Sequence, residues 1–217
     1  MNLLTRRYQP MLSISCSLPL ICIILFVSCQ DKKIIENKND KGQVIERHQI
    51  VKSKEGDKKH GVYERFDEQG KLIEQSNYTM GKLNGIRKLY NQGILESEES
   101  RSDDQYHGPY KEYHSNGNLR MEAVYVHDVM AGDVKVYYPS GKLKEIVRFV
   151  DNVENGPFIE YYENGKLKAE GQYKQLDGAV EDGELKLYDT TGILIRIMNC
   201  ELGKCSTKWA KDTTLLR

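Results

Sequence analysis

Glycines recur through this chain on a beat of about 24 residues, and that beat decides what it can fold into. One series falls at Gly61, Gly85, Gly108, Gly132, Gly156 and Gly183, stepping by 24, 23, 24, 24 and 27. A second glycine follows each by eight or nine residues, at Gly70, Gly93, Gly117, Gly141, Gly165 and Gly192. A period of this length marks a stack of similar small units rather than an ordinary globular core. The six units are numbered here by their first glycine.

Unit 5 is the clearest: Gly156-Pro-Phe-Ile-Glu-Tyr-Tyr-Glu-Asn-Gly165-Lys-Leu-Lys-Ala-Glu-Gly-Gln-Tyr173. Two short runs flank Glu163-Asn164-Gly165, and Ser115-Asn116-Gly117, Pro139-Ser140-Gly141 and Thr190-Thr191-Gly192 hold the same place elsewhere. A three-residue loop ending in glycine suits a type I turn closed by a left-handed bulge, so each unit reads as a β-hairpin. After the turn, Lys166, Lys168, Glu170 and Gln172 alternate with Leu167, Ala169, Gly171 and Tyr173. Period two with one apolar side describes a strand half in water.

Two columns then run down the units. The fifth residue after the first glycine is aromatic: Phe66, Tyr90, Tyr113, Tyr137, Tyr161 and Tyr188. The second residue after the second glycine is Leu72, Leu95, Leu119, Leu143, Leu167 or Leu194. The pair is symmetric about the three-residue turn, so its members are expected to face each other across the hairpin. A third apolar column holds Tyr78, Tyr125, Phe149 and Tyr173, broken by Arg101 and Cys200. Burying one such side chain stabilises by ~1.5–3 kcal/mol, and a lone hairpin is marginal. The columns become a shared buried ladder only when units stack. No convincing amphipathic helix of ten or more residues follows residue 30. The expected fold is all-β: an extended array of antiparallel hairpins in one sheet, with six full units over 42–199. An incomplete unit begins near Gly42, where Gly42-Gln-Val-Ile-Glu-Arg repeats Gly70-Lys-Leu-Ile-Glu-Gln.

Residues 1–28 are of another kind. Arg6 and Arg7 precede an apolar run from about Met11 to Val27, the pattern of a secretory signal. It ends Leu25-Phe26-Val27-Ser28-Cys29, which resembles the lipobox of bacterial lipoproteins. The resemblance implies diacylglyceryl transfer to Cys29, cleavage before it, and a lipid anchor in the cell membrane or outer membrane, with the domain in the periplasm or at the cell surface. Thiolate chemistry is what thioether formation requires, and two or more acyl chains anchor stably. Left uncleaved, the same run is long enough to be read as a signal anchor. Polar residues 29–41 read as a flexible tether, and 200–217 as a C-terminal cap. In an oxidising compartment Cys200 and Cys205, on either side of a four-residue loop, are expected to pair and pin the last hairpin; the alternative is two free thiols.

Charge says little about partners. The chain has 32 basic and 32 acidic residues, so no electrostatic footprint for nucleic acid is present. No nucleophile elbow, His-Glu-x-x-His run or phosphate-cradling loop occurs, and no catalytic residue, metal ligand set or cofactor is expected. His60 and His107 precede a unit's first glycine where Asn84, Asn155 and Asp182 stand in other copies; that equivalence suits turn chemistry rather than ligation. His48, His114 and His127 have no partner at metal-binding spacing in the sequence.

The unit resembles the variant MORN repeat, whose pattern "Asn-Gly-Lys-Leu-Lys-x-Glu-x-x-Tyr … Gly-x-x-x-x-Tyr-Tyr" fits residues 156–173 and extends over about 42–199. Bacterial proteins with these repeats are often grouped under a YwqK-type antitoxin label, and many carry a lipoprotein signal. The resemblance implies contact with proteins or membranes and no catalytic residues. The expected function is a membrane-anchored interaction scaffold for a protein or glycan, with Tyr90, Tyr113, Tyr137, Tyr161 and Tyr188 as its candidate binding row. The alternatives are an antitoxin-like neutralising protein and a passive spacer.

Overall fold

The computed structural model describes residues 32–212, so the signal segment, Cys29 and the start of the expected tether lie outside the described residues. The strands are β1 (Lys33–Lys38), β2 (Val44–Ser53), β3 (Gly56–Phe66), β4 (Leu72–Thr79), β5 (Lys82–Leu83), β6 (Gly85–Asn91), β7 (Ile94–Ser102), β8 (Gln105–Tyr113) and β9 (Leu119–Val126), then β10 (Val129–Met130), β11 (Gly132–Tyr137), β12 (Leu143–Val150), β13 (Val153–Tyr161), β14 (Leu167–Gln175), β15 (Ala179–Glu181), β16 (Gly183–Tyr188), β17 (Leu194–Glu201) and β18 (Lys204–Ala210). All pairing is antiparallel between strands adjacent in the chain, with β5/β6, β10/β11 and β15/β16 lying in succession along β4, β9 and β14, giving one open meander whose outermost strands are β1 and β18. The expected all-β hairpin array is the fold.

Two kinds of turn drive the meander. Within units the chain reverses at the second glycine: Tyr162 N donates to Lys166 O (2.8 Å) and Gly165 N to Tyr162 O (2.8 Å). Gly165 sits at φ +82°, the left-handed conformation this turn demands. Between units the chain reverses through two-residue turns with positive φ at both positions, such as Asp103-Asp104, His127-Asp128 and Asp151-Asn152. Asn and Asp tolerate that conformation best among residues with a Cβ. After β14 the turn lengthens to three residues, Leu176-Asp177-Gly178, and the strand on each side runs one residue further, which together account for the final 27-residue step.

The first glycine of each unit marks a bulge, not a turn. Phe149 pairs with Glu154 but Val147 pairs with Phe158, so Asn155, Gly156 and Pro157 crowd opposite Arg148. Gly156 has φ +131°, and a Cβ there would lie 2.8 Å from Arg148 Cγ. Asn155 of unit 5, and His60 and His107 in units 1 and 3, therefore belong to strand bulges, and the turn reading of the two histidines is corrected. The polar tether is corrected as well. From Lys33 to Lys38 it is strand, because β2 supplies a register that sets Ile35 against His48 and Glu36 against Arg47.

The fully buried ladder is also not the expected one. Phe66, Tyr90, Tyr113, Tyr137, Tyr161 and Tyr188 do pair directly with Leu72, Leu95, Leu119, Leu143, Leu167 and Leu194, yet all are half-buried. A bulge beside each pair carries it to the reverse face of the sheet. The core face is built two residues after the first glycine and six after the second. Tyr63 meets Ser76, Tyr110 meets Ala123, Val134 meets Val147, and Phe158 meets Gly171. Large opposes small in three of the six hairpins, which lets one layer close over itself there. The Phe158 ring lies over Gly171 and stacks on Tyr173 at 4.3 Å. Val134 and Val147 are each 2% exposed, packed in by Met121, Met130, Phe149 and other half-buried neighbours.

On the reverse face the central row reads Glu36, Arg47, Glu64, Gln75, Lys88, Glu98, Lys111, Glu122, Lys135, Ile146, Ile159, Glu170, Lys186, Ile197, Trp209 from edge to edge. Each member is the direct cross-strand partner of the next. Opposite charges on facing positions contribute ~0.2–1 kcal/mol per pair. Neutral Gln75 stands where the order of signs inverts, between Glu64 and Lys88. At the far end Cys200 and Cys205 face each other across β17 and β18 and are joined, with sulfurs 2.02 Å apart.

One contact opposes the fold. Glu145 and Glu160 are directly paired on β12 and β13. Lys168 neutralises Glu160 at 2.8 Å. Burial, with Glu160 and Glu154 nearby, pushes the Glu145 carboxyl above its usual range. A carboxyl raised on folding contributes stability that is lost as pH rises through its folded pKa. Glu145→Gln is therefore expected to stabilise at neutral pH by up to about 1 kcal/mol, with the gain vanishing well below pH 4.5; urea midpoints at the two pH values measure it. Gly165→Ala, with open space around it, is expected to cost about 1–2 kcal/mol through its φ alone. Gly156→Ala is expected to cost more, because Arg148 must also move, and equal losses in the two variants would disprove the close approach.

Candidate binding notch and the tyrosine row

The five candidate tyrosines form one row on the reverse face, and three spend their hydroxyls on the preceding unit. Tyr113 Oη donates to Glu98 (3.2 Å), Tyr137 Oη to Glu122 (2.8 Å) and Tyr188 Oη to Glu170 (2.8 Å). A lysine closes each group: Lys88 on Glu98 at 3.0 Å, Lys135 on Glu122 at 3.1 Å and Lys186 on Glu170 at 3.2 Å. Burial and the Glu122 hydrogen bond push the Tyr137 phenol up to about 12. The Tyr137 hydrogen bond, with Lys135, holds Glu122 below the usual carboxylate range against the effect of burial. For Tyr90 and Tyr161 the corresponding positions hold Gln75 and Ile146, so no carboxylate waits there. Much of the row is thus committed to joining units.

A second set of contacts clasps successive turns. His114 Nε2 meets Tyr137 O at 2.9 Å, Tyr138 Oη donates to Tyr161 O at 2.8 Å, and Tyr162 Oη to Tyr188 O at 2.8 Å. Asn116 and Asn118 reach Pro139 O, and Asn164 reaches Thr190 O. These clasps join unit 3 to 4, 4 to 5 and 5 to 6. Asp67, at the corresponding place in unit 1, turns inward to accept from Gln69 N and Lys71 N. Among the described residues no such clasp joins unit 2 to unit 3.

Unit 2 departs from the others in its turn as well. Asn91 pairs with Ile94 around Gln92-Gly93, with φ +52° and +84°, so the loop is one residue shorter. A notch of about 480 Å³ opens between units 2 and 3, lined by Leu89, Ser97, Tyr110, Glu112, His114 and Arg120 among others. It continues toward the turns past Gln92, Leu95, Glu96 and Tyr113. That volume falls in the range of small-ligand pockets.

The core face beneath the notch is ionic where later units are apolar. Glu99, 4% exposed, accepts from Arg101 at 2.7 and 3.0 Å and lies 3.5 Å from Arg87. Glu74, 6% exposed, accepts from Arg87 (2.8 Å), Ser76 (2.9 Å) and Arg65 (3.2 Å). Burial works against the Glu74 charge, but these donors outweigh it and hold its carboxyl below the ordinary range. The Arg101 guanidinium lies 3.3 Å above the Tyr106 ring. Glu112 accepts from Tyr110 Oη (2.6 Å) and from Arg120 Nε (2.9 Å) and Nη2. A buried pair of this kind holds register more than it stabilises, since desolvation offsets most of the attraction.

Sequence reasoning located the tyrosine row and passed over the notch. Its signal was the one 23-residue step, with a step of only eight from Gly85 to Gly93. It also missed that the His107 and His127 rings meet at a tilt, centroids 4.9 Å apart and planes 58° apart. No three metal-ligating side chains converge among the described residues.

No curated protein matches the chain significantly. The family model of the MORN repeat variant matches residues 59–79, 106–127, 130–151 and 154–175, which are units 1, 3, 4 and 5. Unit 2, with its short turn and ionic core, and unit 6, behind its lengthened connection, fall outside the match. Four of the six hairpin units are thus similar to the MORN repeat variant.

Proposed function

We propose that this protein is a lipid-anchored, extracytoplasmic scaffold that works by contact with a protein or glycan partner, without catalysis. The observation carrying this reading is the single layer: the described strands form one open sheet, so charged and half-apolar side chains line a long reverse face with no second layer over it. Repeated rows of Tyr, Leu and paired charges suit a surface that engages a partner over several units. MORN repeats agree with an interaction role.

Anchoring rests on the sequence. Cys29 follows Leu25-Phe26-Val27-Ser28 and precedes the first strand, at Lys33, by only a few residues. A lipid there would hold the array close to the bilayer surface. Palmitate labelling of the full chain in cells is expected to be lost in Cys29→Ala, with uncleaved precursor accumulating; continued labelling of that variant would refute the anchor. Cross-linking in cells, with and without the lipid, tests the scaffold by identifying a partner whose capture falls when Tyr90 and Tyr161 are changed to Ser.

A further inference from the structure

We propose that the notch between units 2 and 3 receives a lysine or arginine side chain of the partner protein. The inference rests on the scaffold reading and names the chemistry of one contact within it. The shortened Gln92-Gly93 turn is peculiar to this place, and it falls where the missing clasp and the ionic core, both shared with unit 1, border the clasped units. A hairpin turn one residue shorter withdraws chain from the row of turns and leaves the flank of unit 3 uncovered.

Charge decides what fits. Three carboxylates line the notch, from Glu96, Glu99 and Glu112, against one guanidinium from Arg120. Glu99 is taken by Arg101 and Arg87, and Glu112 by Arg120 and Tyr110. The neighbouring Glu98 is taken by Lys88 and Tyr113. Glu96 has no hydrogen bond or ion pair among the described residues and is exposed at the mouth. Arg120 is close enough to feel its charge, but its short contacts go to Glu112. Leu95 and the Tyr113 ring supply apolar wall on the same side. One unspent carboxylate over an apolar wall matches a side chain with an aliphatic stem and a cationic head. An anion would meet the unpaired Glu96 carboxylate instead.

The test uses the full chain and two synthetic probes, a Gly/Ser pentapeptide with a central arginine and its glutamate twin. Titration is followed by NMR shifts of residues around Tyr113. The arginine peptide is expected to move those signals and the glutamate peptide to leave them. Glu96→Gln is expected to weaken binding about two- to fivefold, the size of one exposed ion pair. Inserting one residue after Gln92, which restores the three-residue turn, is expected to abolish it while the thermal unfolding midpoint stays near the parent's. Glu163→Gln, on the turn of unit 5, serves as the unaffected control. Equal binding of both peptides, no binding of the arginine peptide, or full affinity in Glu96→Gln overturns the proposal. If the cross-linked partner survives both notch variants, the scaffold stands and the notch falls; if no partner is captured at all, the scaffold reading itself fails.

Discussion

A sheet of one layer has to bury its apolar side chains against their own neighbours, and this constraint shapes the whole molecule. Without a facing sheet or helix, a valine becomes inaccessible only when bulkier residues flank it in the adjacent rows and small ones sit across from it. The pairs Tyr63/Ser76, Tyr110/Ala123 and Phe158/Gly171 satisfy that demand. Strong local bending helps, and the bulge at each unit's first glycine provides a place for it. The close approach of Arg148 to Gly156 shows how little room the bulge leaves.

The two halves of the array meet the constraint with different chemistry. From unit 3 onward the central core row is Ala, Val, Phe and Leu. In unit 2 Arg87 and Glu99 hold the equivalent places, with Arg65 and Glu74 of unit 1 in the adjacent row, and their hydrogen bonds replace dispersion as the cement. Such a network tolerates misregister poorly, because a one-rung slip strands a buried charge. Its cost is higher solvation demand, and the same half is the one in which clasps between turns give out. Contacts between successive turns are therefore concentrated between units 3 and 6.

Much of this was readable in advance, and the failures have physical causes. Glycine spacing announced hairpins because only glycine closes that three-residue turn without strain. Pairing of Tyr161 with Leu167 followed from symmetry about Gly165. What symmetry did not disclose is the bulge that carries both to the reverse face, since a bulge is a property of two paired strands and shows in neither alone. His60 and His107 looked like turn residues for the same reason. Strand β1 was hidden by composition: Lys33 and Lys38 read as linker, and only Ile50 and Val44 on the neighbouring strand give them a place. The notch announced itself by one missing residue, a signal too small to interpret without coordinates.

Alternation of sign along the reverse face carries a consequence for how such a chain can grow. From Lys88 onward each outgoing strand that bears a charge in this row is positive and each returning strand negative. Duplication of a whole hairpin preserves the pattern, whereas gain or loss of a single strand would set like against like and turn every later side chain over. Descent by copying is thus restricted to even increments, and the phase inversion at Gln75 marks a seam where segments of opposite polarity meet across an uncharged residue.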